Sequence, residues 1–141
     1  MPGTSGPTTM KTSLKLASAL LALFAISSAA SAQDGDPEKG KKVFKKCKIC
    51  HSVGPGAKRK IGPPLNDIIG ATAGVQKRYK YSKAMKMAGK KGFVWTEDKL
   101  KAYLEKPRKV VPGGKMSFPG LRKEADRDDV VAFLKTFTKK K

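Results

Sequence analysis

The chain has 141 residues, with 31 lysines and arginines against 11 aspartates and glutamates and one histidine, a formal +20 at pH 7. That length allows one modest domain and excludes a large α/β enzyme that builds its own deep site. Apolar residues are 39% of the chain, enough for a core, but like charges repel in the compact state, so ordinary side-chain packing needs help.

Lys11 and Lys15 precede an apolar run from Leu16 to Ile26, and small residues follow to Ala30-Ser31-Ala32. This is the layout of a secretory signal peptide. The run is too short to span a hydrocarbon layer of roughly 30 Å as a helix, which counts against an uncleaved anchor. Met1 to Thr9 has no counterpart in such a leader, and Met10 offers a natural start. The expected organisation is a signal peptide over 1–32 and a single domain over 33–141, exported to the periplasm of a bacterium. Two lysines leave with the leader and no acid does, so the net charge falls from +20 to +18. In that oxidising compartment two free cysteines must be bonded to something.

Asp36 is placed to cap a helix with Pro37 at its first position. Gly40, Val43, Phe44 and Cys47 recur at helical spacing, with lysines opposite, and the pattern predicts a helix to about Cys50. Gly54-Pro55-Gly56 and Gly62-Pro63-Pro64 break the next stretch, where Leu65, Ile68 and Ile69 allow one helical turn. Ser82 caps a short helix that Gly89 stops. Thr96 caps another, with Glu97 and Asp98 in its first turn, and Pro107 ends it. Residues 107–120, with three prolines and three glycines, read as an ordered functional loop. Asp126 is the expected cap of the last helix, with Asp129 as a capping-box acid and Val130, Phe133, Leu134 and Phe137 as the apolar stripe. Lys139 to Lys141 suit the negative end of that helix. No period-2 strand pattern or internal repeat is present, so the expected fold is all-α. Four small amphipathic pieces cannot close a large core alone, and a planar apolar cofactor would complete it.

The central motif is Cys47-Lys48-Ile49-Cys50-His51. C-x-x-C-H is the attachment pattern of a c-type haem. Two cysteines three apart on one turn reach two vinyl groups on one porphyrin edge, and the adjacent histidine falls under the iron. The alternatives are weaker. A zinc site lacks a third cysteine and a second histidine. A thioredoxin-like dithiol lacks its βαβ surroundings. A Cys47–Cys50 disulfide closes a loop of little stabilising value.

The other axial ligand must come without a second histidine, and a thioether is the natural choice. Met85 and Met87 sit in a lysine-rich helix that suits packing methionines. Met116 lies in Pro112-Gly113-Gly114-Lys115-Met116, a loop able to hold a side chain at a set angle. Lys115, if deprotonated, and an open position remain as alternatives. His51 is expected to donate its free ring N–H to a carbonyl of the 62–64 loop, with Pro63 packing on the ring. Tyr79, Tyr81 and Trp95 combine polar handles with apolar bodies. They suit buried haem propionates, which need partners, or else the core with a satisfied hydroxyl.

These residues, with Gly40 and Phe44, Gly62-Pro63-Pro64-Leu65, Tyr79-Lys80-Tyr81-Ser82, Trp95, Tyr103 to Pro107, Val111 to Phe118 and Asp129 to Lys135, resemble the class I cytochromes c. The likeness extends to the exported bacterial cytochromes c2 and mitochondrial cytochrome c, and spans nearly the whole mature chain. It implies crossed N- and C-terminal helices around one covalently bound haem c, with Gly40 at the crossing against Phe133. It implies His51 and Met116 as axial ligands and Pro63 as the carbonyl facing His51. Tyr81 and Trp95 would contact one propionate, with Tyr79 near the same region. Tyr103 would lie beside the methionine, and Phe118 would shield the haem edge. Three positions depart from the family. Ala71 stands where an arginine often lies by the inner propionate, and Gly114 where a threonine commonly bonds a propionate. Met85 stands where a buried asparagine is usual, although a two-residue insertion before Trp95 bears on that alignment.

The resemblance implies a monomeric electron carrier without a substrate site. Its implied partners are acidic surfaces of membrane redox complexes: a quinol:cytochrome c oxidoreductase (the cytochrome bc1 complex) as donor, and a cytochrome oxidase or photosynthetic reaction centre as acceptor. Lys46, Lys48, Lys60, Lys109, Lys115 and Lys123 flank the expected haem edge, and the overall charge favours steering onto such surfaces. Nucleic acid is a poor alternative without a recognition motif or stacking platform. A peroxidase or gas-binding haem protein would need an open sixth position, against which Met116 argues.

Overall fold

The computed structural model describes residues 1–4, 6 and 34–139. The leader run and its cleavage site lie outside the described residues, as do Lys140 and Lys141. Residues 34–139 belong to one unit with five helices and, among the described residues, no strand. An isolated antiparallel bridge joins Thr72 to Val94.

Helix α1 (Pro37–Phe44) starts as its residues dictate. The Asp36 carboxylate accepts from the N–H groups of Glu38 (2.8 Å) and Lys39 (3.3 Å), and Pro37 takes the first position. The helix ends at Phe44, six residues before the expected end. The chain beyond it continues in tight turns through Cys50.

Helix α5 (Glu124–Lys135) begins two residues before Asp126, which therefore lies in its first turn and caps nothing. The carbonyls just upstream are held instead by the Arg127 guanidinium, which donates to Leu121 O (2.8 Å) and Arg122 O (3.0 Å). Asp129 is not a capping-box acid either. Its Oδ1 accepts from Asp36 N at 2.7 Å, 93 positions away, and ties the start of α1 to the middle of α5. That bond exists because the two helices cross at backbone distance. A Cβ on Gly40 would lie 1.9 Å from Asp129 O, and one on Gly35 would lie 2.1 Å from Asp128 O. Phe44 and Phe133 pack at 5.3 Å beside the crossing.

Helix α2 (Lys83–Lys90) is capped by Ser82 Oγ, which accepts from Met85 N. It runs through Gly89 rather than stopping there. Gly89 is buried because a Cβ would lie 1.9 Å from Ala73 O, so close packing and not termination explains it. Helix α3 (Glu97–Glu105) has the expected Thr96 cap. Pro107 both ends α3 and opens a four-residue helix, α4 (Pro107–Val110), inside the segment read as loop. Leu65 to Ile69 forms turns, with Asp67 at φ 57°, instead of a helical turn.

The core is Phe44, Ala73, Met85, Trp95, Leu100, Tyr103, Leu104, Val111, Leu121, Val130, Val131 and Leu134. Lys101–Asp128 (2.8 Å) and Lys135–Glu97 (2.6 Å) pair α3 with α5 at the surface, where such pairs add little.

Gly40→Ala forces a methyl into backbone and is expected to cost about 3 kcal/mol. Gly56→Ala, at φ 71° in open space, is expected to cost only about 1 kcal/mol. Denaturant unfolding of the purified protein reads both.

Candidate functional site

Helix α1 delivers the attachment turn. Cys47 N donates to Phe44 O (2.8 Å), Cys50 N to Cys47 O (3.0 Å) and His51 N to Cys47 O (2.9 Å). The three reactive side chains thus share one backbone turn, which is the arrangement the motif requires. Both thiols are free and half-buried. Burial pushes the Cys47 thiol up to about 11 against the opposing field of Lys46, so it rests as a neutral thiol.

His51 Nδ1 lies 2.8 Å from Pro63 O. A carbonyl can only accept, so Nδ1 carries the proton and Nε2 keeps its lone pair. Burial holds the imidazole below its usual pKa, Lys60 adds to the shift and the Pro63 bond opposes it. The neutral, ligating form is therefore favoured. Gly62 has no side chain because a Cβ would lie 2.4 Å from His51 Cε1. Gly62 N donates to Cys50 O (2.8 Å) and Leu65 N to Ser52 O (2.9 Å), which fastens the 62–65 segment along the motif.

Two further clamps carried no local sequence signal. Gln76 Nε2 donates to Pro64 O at 3.0 Å and braces the loop that orients His51. Asn66 both donates to Gly54 O and accepts from Gly54 N, each at 2.9 Å.

The methionine loop approaches from the other end of the chain. Val111-Pro112-Gly113-Gly114 has the pattern of a type II turn, with Gly114 N donating to Val111 O (3.0 Å) and Gly113 at φ 79°. Met116 and Phe118 follow, half-buried against the same core cluster that Cys47 and Tyr81 pack on. Trp95 and Tyr103 belong to that cluster, their rings edge-on at 4.9 Å. The fold thus brings Cys47, Tyr81, Trp95, Tyr103, Met116 and Phe118 onto one apolar body.

The competing candidates are placed elsewhere. Met85 is buried in the core and Met87 is 51% exposed. Lys115 Nζ donates to Lys80 O and sits 4.7 Å over the Tyr79 ring, so its ammonium is engaged. The Tyr79 hydroxyl donates to Ile61 O (3.2 Å), while its ring meets Tyr81 edge-on at 4.7 Å. Burial, with Tyr79 nearby, raises the phenols of Tyr81 and Tyr103, the latter to about 12, so both remain O–H donors.

Two free thiols and a neutral imidazole on one turn, with a thioether loop on the same apolar cluster, form the donor set of a c-type haem. The bare Gly62 leaves the imidazole its seat. The residues present fit the group.

Residues 37–138 match the family model described as Cytochrome c. The chain belongs to the cytochrome c family. It is 54% identical over 98 residues to cytochrome c2 of Afifella marina, covering 70% of this chain and 79% of that one. It is 51% identical over 109 residues to cytochrome c2 of Rhodomicrobium vannielii, covering 77% and 85%. The solved cytochrome c2 of Rhodospirillum centenum superposes with a TM-score of 0.70 at 41% identity, over 74% of this chain and 100% of that one. The fold is that of class I cytochromes c. Haem c is the cofactor, held through Cys47 and Cys50, and this cytochrome c is an electron carrier.

Gln76→Leu removes the brace on Pro64 and leaves that carbonyl unpaired. The expected loss is about 1 kcal/mol in denaturant unfolding. Faster solvent exchange of the His51 ring N–H, read by NMR, should accompany it.

Proposed function

We propose that the mature protein is a monomeric one-electron carrier of the periplasm, released by removal of residues 1–32. It takes an electron from a quinol:cytochrome c oxidoreductase and passes it to a terminal oxidase or photosynthetic reaction centre. The observation that carries this reading is the packing of Cys47, on the turn that also carries the Pro63-oriented His51, and of Met116, on its Pro-Gly turn, against one apolar cluster.

When bound, haem c supplies a one-electron Fe(III)/Fe(II) couple. His51 Nε2 and the Met116 thioether would hold its iron. The soft thioether would favour the reduced state, and the apolar residues around it would exclude water and act in the same direction. With both side chains engaged, no coordination site would remain for a substrate, and the protein would act as a carrier and not as an enzyme. Tyr81 and Trp95 would supply O–H and N–H donors to a propionate. Tyr79, its hydroxyl committed to Ile61 O, braces the adjoining loop. Tyr103 would lie beside the methionine, and Phe118 would cover the haem edge. Ala71, Gly114 and Met85 would contribute no side-chain donor there.

Lys46, Lys48, Lys60, Lys109, Lys115 and Lys123 are all exposed and present positive charge to acidic docking surfaces. Export also accounts for the two cysteines, which end as thioethers. No helix among the described residues is long and apolar enough to cross a membrane.

The test is the visible spectrum of the purified protein, oxidised and reduced, with and without carbon monoxide. The expected result is a c-type reduced α band, a weak near-infrared band when oxidised, and no carbon monoxide binding. Met116→Leu should abolish the near-infrared band and admit carbon monoxide, whereas Met85→Leu should do neither. Carbon monoxide binding by the unaltered protein would overturn the closed-site reading.

A further inference from the structure

Gly62-Pro63-Pro64 has a single backbone N–H, because proline has none. Gly62 N donates to Cys50 O at 2.8 Å. The segment is otherwise held through its carbonyls, and each from Ile61 to Pro64 has a partner. Ile61 O accepts from the Tyr79 hydroxyl (3.2 Å) and Gly62 O from Lys60 N (3.0 Å). Pro63 O faces His51 Nδ1 (2.8 Å), and Pro64 O accepts from Gln76 Nε2 (3.0 Å).

The last two bonds are coupled by covalent geometry. The Pro64 ring locks its φ at about −65°, so only ψ remains free between the peptide plane of Pro63 O and that of Pro64 O. The second plane is pinned on both edges, Pro64 O by Gln76 and Leu65 N by Ser52 O at 2.9 Å. Pinning it aims the first plane, and with it the carbonyl that His51 faces.

Gln76 is itself well placed. Two residues before it, Gly74 lies so close to α2 that a Cβ would stand 2.8 Å from Met85 O. The amide can bond in one orientation only. Turned over, it would set Oε1 against Pro64 O, two acceptors with no proton between them. In the orientation that bonds, Oε1 is buried and has no partner among the described residues. The amide thus satisfies one acceptor and leaves its own unpaired, so its net gain in stability is small. What it supplies is direction.

We infer that Gln76 is a positioning residue for His51 and sets the reduction potential of the haem that His51 would hold. This rests on the axial-ligand reading above. An imidazole with a well-aligned Nδ1–H bond is the more basic ligand at Nε2, and a more basic ligand favours oxidised iron. Without the Gln76 bond the Pro64 plane can swing, the Pro63 carbonyl turns away from the Nδ1–H direction, and the reduced state gains.

The experiment is a redox titration of the haem-loaded protein and its variants, with proton NMR of the His51 ring N–H. Gln76→Met keeps the length of the side chain and removes the donor. It should shift the iron equilibrium toward the reduced form roughly threefold, which is about 30 mV for one electron. Its His51 ring N–H should exchange faster with solvent. Gln76→Leu, which also lacks the donor, should do the same. Gly92→Ala, at φ 82° in open space, should lower stability to a similar degree and leave the potential unchanged. Unchanged potential and ring N–H exchange in both Gln76 variants would make the brace merely structural and overturn the proposal. An equal shift in Gly92→Ala would trace the effect to lost stability and overturn it as well. An oxidised, unaltered protein whose His51 ring protons show no paramagnetic shift would overturn the axial-ligand reading, and the proposal with it.

Discussion

The rest of the structure depends on the backbone-close crossing of α1 and α5. Gly40 lets the Asp129 carbonyl approach to a distance no side chain permits, and Asp129 then uses its carboxylate to hold Asp36 N. From that crossing α1 runs on to Phe44, and the turns that follow it carry Cys47, Cys50 and His51. A chain of this size and charge has little apolar area to spare, so a close-packed helix pair gives more burial per residue than a looser one could. The same α5 carries Val130, Val131 and Leu134 into the core that the methionine loop rests on.

Glycine and proline supply the remaining constraint. The site has few regular elements, and its loops are held by fixed dihedrals and single hydrogen bonds instead. Pro63 offers a carbonyl to His51, Gly62 clears the imidazole, and Pro112-Gly113 turns the chain towards Met116. Gly120, at φ 104°, brings the returning chain against Glu105 O, after which Leu121 N donates to Leu104 O at 2.8 Å. Each loop is thereby anchored by its own bonds, which is how a largely irregular segment holds a side chain at a set position.

Charge is distributed unevenly. Nine of the eleven acids lie at or before Glu38, in the first turn of α3, or in the first half of α5. All four ion pairs among the described residues draw on that set. Self-repulsion is relieved where the helices meet, and the lysine-rich remainder is left facing solvent. A surface of one sign away from the helix crossing accelerates encounter with acidic partners and costs stability only where it is unscreened.

The sequence by itself determined the haem attachment, because Cys47, Cys50 and His51 act within one turn and need no distant neighbour. It also determined the Asp36, Ser82 and Thr96 caps, each a bond to an N–H two or three residues away, and the Pro-Gly turn before Met116. Only the tertiary structure decided the role of Asp129, which bonds a residue 93 positions away and not its own helix terminus. The burial of Gly89 against Ala73, the reciprocal Asn66–Gly54 pair and the Gln76 brace on Pro64 were settled in the same way. The three methionines of the mature chain differ in the same way, Met85 buried in the core, Met87 exposed and Met116 packed against the core cluster, a difference of burial and not of chemistry. The physical reason is range. Caps, turns and covalent motifs are satisfied by near neighbours and leave a periodic or local trace. Close approaches and cross-loop hydrogen bonds depend on which distant segments packing brings together.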